Sequence, residues 1–323
     1  MQAIKVQAPG NTDQLQLIEC PIPICNPDDV LVEIKAAGLN FIDIYIRTGL
    51  YKSPHYPYIP GKEGSGIIIS VGKNVRHLNE GDRVAFCVGG TGTYAEFAVI
   101  PADQVVLIPE KISFEIAAAA MLQGLTAYYL SHLTFALNKN HIALIHAGAG
   151  GVGLLLIQMA KIIGAKIITT VSSDDKKELV KQAGADHVVI YTRESFYDAV
   201  MNDTNNMGVD VVYDAVGKTT FNDSLRSLKL RGMLVSYGQA SGSIPHFDIR
   251  QLSEKSVYLT RPILNHYTNT QAELNQLTAV LFNLILEKKL NITIGQTYAL
   301  ADAKKAQDDL EQRKTFGKSL LLI

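Results

Sequence analysis

The chain has 323 residues, enough for about two domains that can each bury a core. Apolar residues at 47% and charged ones at 19%, with no low-complexity tract, exclude disordered and fibrous classes. Thirty basic against 31 acidic side chains leave a net charge of −1, so no bulk attraction to nucleic acid or an anionic membrane surface is expected, although a local basic patch stays open.

The amino-terminal MQAIKVQAPG lacks the long apolar region of a signal peptide. Cys20, Cys25 and Cys87 are too few and too unevenly spaced for a disulfide framework or a four-cysteine zinc site, which suits a reducing cytoplasm. The first 120 or so residues read mostly as β structure. In DDVLVEIKAAGLN, Val30, Val32, Ile34 and Ala36 alternate with Leu31, Glu33 and Lys35, the period-2 pattern of a strand with one buried face. Glycine turns then recur in PGKEGSG, VGKNV, EGDRV and GGTGTY, which points to a barrel-like or sandwich-like unit.

The pattern changes near Ser113, a plausible cap for the helix SFEIAAAAMLQGLTAYYL. After it, strands and helices alternate: IALIHA, VGLLLIQMAKIIG, AKIITTV, DKKELVKQAG, DHVVIY, VDVVYDAVG and GMLVSYG. Such alternation predicts a parallel sheet covered by helices on both faces. Ile142–Ala160 spans 19 residues whose only ionisable group is His146, nominally enough to cross a bilayer, but four glycines between Gly148 and Gly153 split it into a strand and a helix. Beyond about residue 262, QAELNQLTAVLFNLILEKKL reads as an amphipathic helix, followed by short strands and a helix at AKKAQDDLEQR.

The sharpest motif is HAGAGGVG, where Gly148, Gly150 and Gly153 fit G-x-G-x-x-G between a strand and a helix. The first glycine permits a tight turn, the second lets a pyrophosphate approach the backbone, and the third lets helix and strand pack. The helix N-terminus offers unpaired N–H groups to the phosphates. Cofactor type depends on the end of the next strand, where an NAD site carries an acid for the ribose. Here the strand gives way to Ser172, Ser173 and Lys176, two hydroxyls and a cation that suit a 2′-phosphate. A shift of two residues would instead bring Asp174 or Asp175 to the ribose. Ser173 as a plain helix cap and Lys176 as a solvated residue are the bland alternatives.

The run NHIALIHAGAGGVGLLLIQMAK resembles the signature segment of the quinone oxidoreductase and zeta-crystallin group of medium-chain dehydrogenases/reductases. GLNFIDIYIRTGLY, PGKEGSGIIISVG, GDRV, QGLTAYYL, VVYDAVG, SYGQASG and TRP resemble family segments in the family's order, covering essentially the whole chain. The resemblance implies an α/β protein in which a doubly wound Rossmann domain (123–262) is inserted into a GroES-like, mostly-β catalytic domain (1–122 and 263–323), with the active site in the cleft between them. It implies that Asn40, Tyr45 and Tyr51 line the nicotinamide and substrate cleft as the catalytic residues. NADPH contacts carry over to Gly150, Gly151, Val152, Ser173, Lys176, Tyr191, Tyr237 and Arg313, with Tyr191 placed to stack on the adenine. Arg313 reads equally well as a solvated helix-end residue. Where some members have a Lys, this chain has Gln123, so a neutral amide contact replaces a cation there.

The zinc-dependent relatives hold their catalytic metal at positions that match Asn40, Lys62 beside Glu63, and Gln123, and none of Asn, Lys or Gln is a usual zinc ligand. Cys87 reads as a small core or near-surface residue rather than a ligand, and His55, His77 and His132 lack a ligand spacing, so no metal is expected. Without a Lewis acid, an already electrophilic acceptor is expected. The resemblance thus implies an NADPH-dependent quinone reductase that uses neither metal nor flavin, working as a cytoplasmic homodimer with the apolar SVYLTRP strand as a candidate pairing edge. The alternatives are a reductase of conjugated C=C bonds on the same scaffold, or a crystallin-like or RNA-binding role, the last opposed by the near-neutral charge.

Overall fold

The computed structural model describes residues 1–52, 55–87, 89–90, 92–244 and 246–323. Thr91 of the GGTGTY turn is therefore outside the described residues. The chain forms two compact units: Met1–Leu122, Thr268–Lys288 and Ile292–Ile323 make the first, Gln123–Tyr267 and Lys289–Asn291 the second.

In the first unit, Gln2–Val6 (β1) and Leu15–Glu19 (β2) pair as an antiparallel two-stranded sheet. Asp29–Gly38 (β3) follows, its buried Val30, Val32, Ile34 and Ala36 alternating with half-buried neighbours as their spacing requires. After the helix Phe41–Arg47 (α1) come Glu63–Val71 (β4), Arg83–Cys87 (β5), Phe97–Pro101 (β6) and Val105–Leu107 (β7). The helix Phe114–Tyr128 (α2) opens where the backbone N–H of Ile116 donates to the Ser113 hydroxyl, 3.2 Å. Val30, Val32, Ile34, Ile68, Val84, Phe86 and Ile100 build the core of this unit. Burying each such aliphatic side chain contributes about 1.5–3 kcal/mol before entropy is counted.

The second unit alternates as its sequence predicts: Ile142–Ile145 (β8), Gly151–Ile163 (α3), Lys166–Val171 (β9), Asp174–Ala183 (α4), His187–Ile190 (β10), Phe196–Asp203 (α5), Val209–Asp214 (β11), Phe221–Arg226 (α6), Leu228–Ser236 (β12) and Tyr258–Thr260 (β13). Gly164 and Gly184 end α3 and α4 in the left-handed conformation that a residue with a Cβ adopts only with strain. All strand pairs are parallel, in the order β10-β9-β8-β11-β12-β13. This is the doubly wound Rossmann order, with its switch point between β8 and β11. β13 lies at the sheet's edge with Tyr258 and Leu259 exposed.

The chain then returns to the first unit. Gln271–Leu286 (α7) starts with a reciprocal cap between Thr270 and Glu273. Ile294–Ala299 (β14), Ala303–Glu311 (α8) and Lys318–Leu322 (β15) follow. β15 pairs antiparallel with Ala36–Gly38 of β3, which completes the sheet order β14-β15-β3-β4-β5-β7, with β6 also paired to β3. None of the described helices is long and apolar enough to cross a membrane.

Candidate functional site

Two groups of side chains carry the candidate chemistry, one in each unit. In the second unit they gather at the carboxyl ends of the parallel strands. Gly148 follows β8, and its N–H donates to the Thr170 carbonyl at 3.1 Å. The left-handed residue of this turn is Ala147 (φ 53), not a glycine. Gly148 is demanded instead by closeness, since a Cβ there would stand 2.0 Å from the Thr169 hydroxyl oxygen. A Cβ on Gly153 would stand 2.4 Å from the Ala147 carbonyl oxygen, so that glycine lets α3 pack on the turn. Gly150, which caps α3, differs: its Cβ would meet only the Ala147 oxygen, at 3.2 Å. The space before the helix is open there, while the N–H groups of Gly151, Val152 and Gly153 have no partner within α3. This is a cradle for an anion. On the far side, Gln123 of α2 reaches the helix start so closely that a Cβ on Gly151 would overlap its amide.

At the end of β9, Ser173 occupies the cap position of α4, but its hydroxyl makes no cap hydrogen bond. Lys176 lies in the first turn of α4, half-buried. Tyr191 follows β10, and its N–H donates to the Val171 carbonyl, 3.1 Å, which holds it beside the end of β9. Tyr237 follows β12 and is tied to the Asp214 carbonyl by its N–H at 2.9 Å. Arg313 belongs to the first unit, exposed just past α8 with φ 59. Thus Gly148, Gly150, Gly151, Val152, Gly153, Gln123, Ser173, Lys176, Tyr191 and Tyr237 share the second unit. The hydroxyl and cation beside the glycine cradle fit a dinucleotide with a 2′-phosphate.

Beneath the cradle lies a buried network that the motif does not announce. His146 sits between the Thr170 hydroxyl (Nδ1, 3.0 Å) and the Ser224 hydroxyl (Nε2, 3.0 Å). Ser224 donates to Asp214 Oδ2 at 3.0 Å. The other Asp214 oxygen accepts from the N–H groups of Val216 and Gly217. Burial lowers the His146 pKa below its ordinary value, against a smaller raising effect from Asp214, so the ring is neutral at pH 7.

In the first unit, Asn40 caps α1 and is buried. Its Oδ1 accepts from the Lys318 ammonium at 2.8 Å, and its Nδ2 donates to Glu63 Oε2 (2.9 Å) and the Gly38 carbonyl (3.3 Å). Lys318 also pairs with Glu63, and both are essentially excluded from solvent. The second Glu63 oxygen accepts from the Leu122 N–H at 2.6 Å. Asp43 Oδ2 accepts from the Asn40 N–H (2.9 Å) and the Tyr94 hydroxyl (3.1 Å). Burial pushes the Asp43 carboxyl up to about 7. Tyr45, also on α1, is buried and packs its ring 5.1 Å from that of half-buried Tyr51, whose N–H donates to the Tyr45 carbonyl at 2.9 Å. The candidate substrate residues Asn40, Tyr45 and Tyr51 are therefore brought together, with the Asn40 amide turned into the polar network. Sequence reasoning missed Lys318, Asp43 and Tyr94, and read Glu63 only as a neighbour of a lost ligand position. Their one local signal is Asn40 and Asp43 three residues apart at a helix start.

The zinc of the superfamily does not fit this donor set. Among the described residues no three His, Cys, Asp or Glu side chains could hold a metal ion. Asn40 Oδ1 and Glu63 Oε2 are taken by the Lys318 ammonium, and Glu63 Oε1 by the Leu122 N–H. Cys87 is buried, and desolvation raises its thiol pKa, which makes it a poor thiolate ligand.

The comparisons agree with this geometry. Residues 26–110 match the alcohol dehydrogenase GroES-like domain, and residues 151–281 the zinc-binding dehydrogenase family. Over 316 residues, 97% of each chain, the sequence is 42% identical to the quinone oxidoreductase of Salmonella typhimurium. A 2-haloacrylate reductase of a Burkholderia species is 32% identical, covering 100% of this chain and 99% of its own. The Escherichia coli quinone oxidoreductase complexed with NADPH is 40% identical and matches at a TM-score of 0.98, covering 100% of both chains. The resemblance seen in the motifs thus extends through sequence and fold alike, and the chain belongs to the quinone oxidoreductase family of the medium-chain dehydrogenases/reductases.

Proposed function

We propose that the protein is an NADPH-dependent quinone oxidoreductase that passes reducing equivalents from the nicotinamide directly to a quinone, without metal or flavin. The observation that carries this reading is the open glycine cradle at the amino end of α3, with the Ser173 hydroxyl and Lys176 at the neighbouring strand end. Gly150, Gly151 and Val152 would receive the pyrophosphate, Ser173 and Lys176 the 2′-phosphate, and Tyr191 the adenine face. Gln123, Tyr237 and Arg313 complete the proposed cofactor contacts. When bound, NADPH supplies the reducing equivalents; the chain binds, orients and keeps water away. Tyr45 and Tyr51 would line the acceptor site by ring contact, and Asn40 would position the acceptor at the start of α1, the helix that carries Tyr45 and to which Tyr51 is tied by its N–H. We further propose a homodimer in the cytoplasm, with the exposed β13 edge as the pairing surface; gel filtration with light scattering tests the dimer.

The activity test mixes the pure protein with NADPH and a panel of quinones, and expects acceptor-dependent NADPH oxidation. No oxidation across 1,4-benzoquinone and naphthoquinones overturns the reading, and turnover of conjugated enones alone replaces it with C=C reduction. Ser173→Ala with Lys176→Ala should weaken NADPH far more than NADH, and equal loss of both would remove the 2′-phosphate from this place.

A further inference from the structure

An ion pair stands at the strand end where dinucleotide sites read the ribose. Asp174 is the first residue of α4, directly after Ser173. Its Oδ1 accepts from Arg193 at 3.0 Å and its Oδ2 from the same guanidinium at 2.5 Å, a two-pronged contact. Arg193 comes from the turn after β10, and two hydrogen bonds register that turn against the end of β9: Tyr191 N–H to the Val171 carbonyl, and the Thr192 hydroxyl to the Ser172 carbonyl at 3.1 Å. Both partners are about two-thirds exposed, at 62% and 64%. Exposed pairs of this kind add little to stability, so stability does not account for the geometry. Asp174 has its own reason to stay, because an acid in the first turn of a helix meets the positive end of its dipole. Left bare, however, its charge would oppose a 2′-phosphate beside Ser173 and Lys176, and would favour the unphosphorylated ribose that an acid binds well.

We propose that Arg193 is a specificity-determining residue: by holding the Asp174 carboxylate it cancels the acidic charge that directly follows Ser173, leaving Asp175 as the only other acid of that turn, and so tilts the site toward NADPH over NADH. This rests on the reading that the 2′-phosphate lies at Ser173 and Lys176. Arg193 acts here through Asp174, as a charge mask.

The test is a double-mutant cycle read by calorimetric binding, independent of turnover. Wild type, Arg193→Gln, Asp174→Asn and the double variant are titrated with NADPH, NADH and adenosine 2′,5′-bisphosphate. For charges a few ångströms to a Debye length apart in water, Arg193→Gln should weaken NADPH and the bisphosphate about fivefold to tenfold and leave NADH within about twofold. Asp174→Asn alone should bind NADPH at least as tightly as wild type. The double variant should return to within about twofold of wild type, and high salt should flatten all differences. If the double variant loses as much NADPH affinity as Arg193→Gln, or if NADH weakens equally, the mask is overturned. If Ser173→Ala and Lys176→Ala leave NADPH untouched, the phosphate site itself is wrong; if they weaken it while Arg193→Gln does not, only the mask fails.

Discussion

Glu63–Lys318 and Asp174–Arg193 are both carboxylate–cation pairs, yet their surroundings give them opposite duties. The first is sealed from water, with side-chain exposures of 0% and 1%, and every charged atom in it is also hydrogen-bonded to Asn40 or the Leu122 backbone. The second stands in solvent. A buried pair is costly to assemble and costlier to break, because removing one partner strands the other's charge in a poorly polarisable interior. An exposed pair is nearly free to break, and what it changes is the local field felt by a ligand. The molecule thus separates architecture from selectivity by depth.

The strongest way to break that contrast is Lys318→Met. It leaves Glu63 charged and buried, and should cost about 3–5 kcal/mol in urea unfolding. Glu63→Gln combined with Lys318→Met should recover much of the loss, since no charge is then stranded. A Lys318→Met protein as stable as wild type would mean that the pair carries no structural charge.

Next in size is the titration of Asp43. Its folded carboxyl titrates at about 7 against an ordinary 3.8, so the folded state holds a proton that the unfolded chain has released. Stability contributed by that proton is full below about pH 4 and is lost as pH rises through about 7. Asp43→Asn should therefore flatten the fall in unfolding free energy between these limits, with the Asn side-chain oxygen still able to accept from the Asn40 N–H. An unchanged pH profile would remove Asp43 as the titrating group.

The smallest effect belongs to the exposed pair. Arg193→Gln should leave the melting temperature of the protein without cofactor unchanged, in contrast to Lys318→Met. A clear drop would make Arg193 a structural residue and collapse the distinction.

The second unit was readable because its signals are local. Four glycines between an apolar strand and helix, and glycine stops at 164 and 184, specify turn and helix within a few residues of themselves. The function of each glycine was less legible: the strained conformation falls on Ala147, and Gly148 is fixed by contact with Thr169, a neighbour that only the folded sheet supplies. The first unit's network was illegible for a simpler reason. Lys318 lies 255 residues from Glu63 and 278 from Asn40, and GKSLLLI reads as an ordinary strand with a solvated lysine at its start. Asp43 in FIDIYIR looks like the polar face of an amphipathic helix, and nothing local says that it is buried against Tyr94. Periodicity marks which face turns inward, but not which distant side chain meets it.

The pairing of β15 with β3 also bears on the order in which the protein can be made. Domains fold as they emerge, amino-terminal segments first. When residues 1–122 leave the ribosome, Ala36–Gly38 has β4 on one side but lacks β15 on the other, and Glu63 lacks its ammonium, because both arrive only with residues 318–322. The nucleotide unit, continuous from Gln123 to Tyr267 and finished by the short return Lys289–Asn291, is complete before then. The inserted unit is therefore free to fold ahead of its host. During that interval the open edge of β3 is the part of the nascent chain most in need of protection from pairing with another molecule.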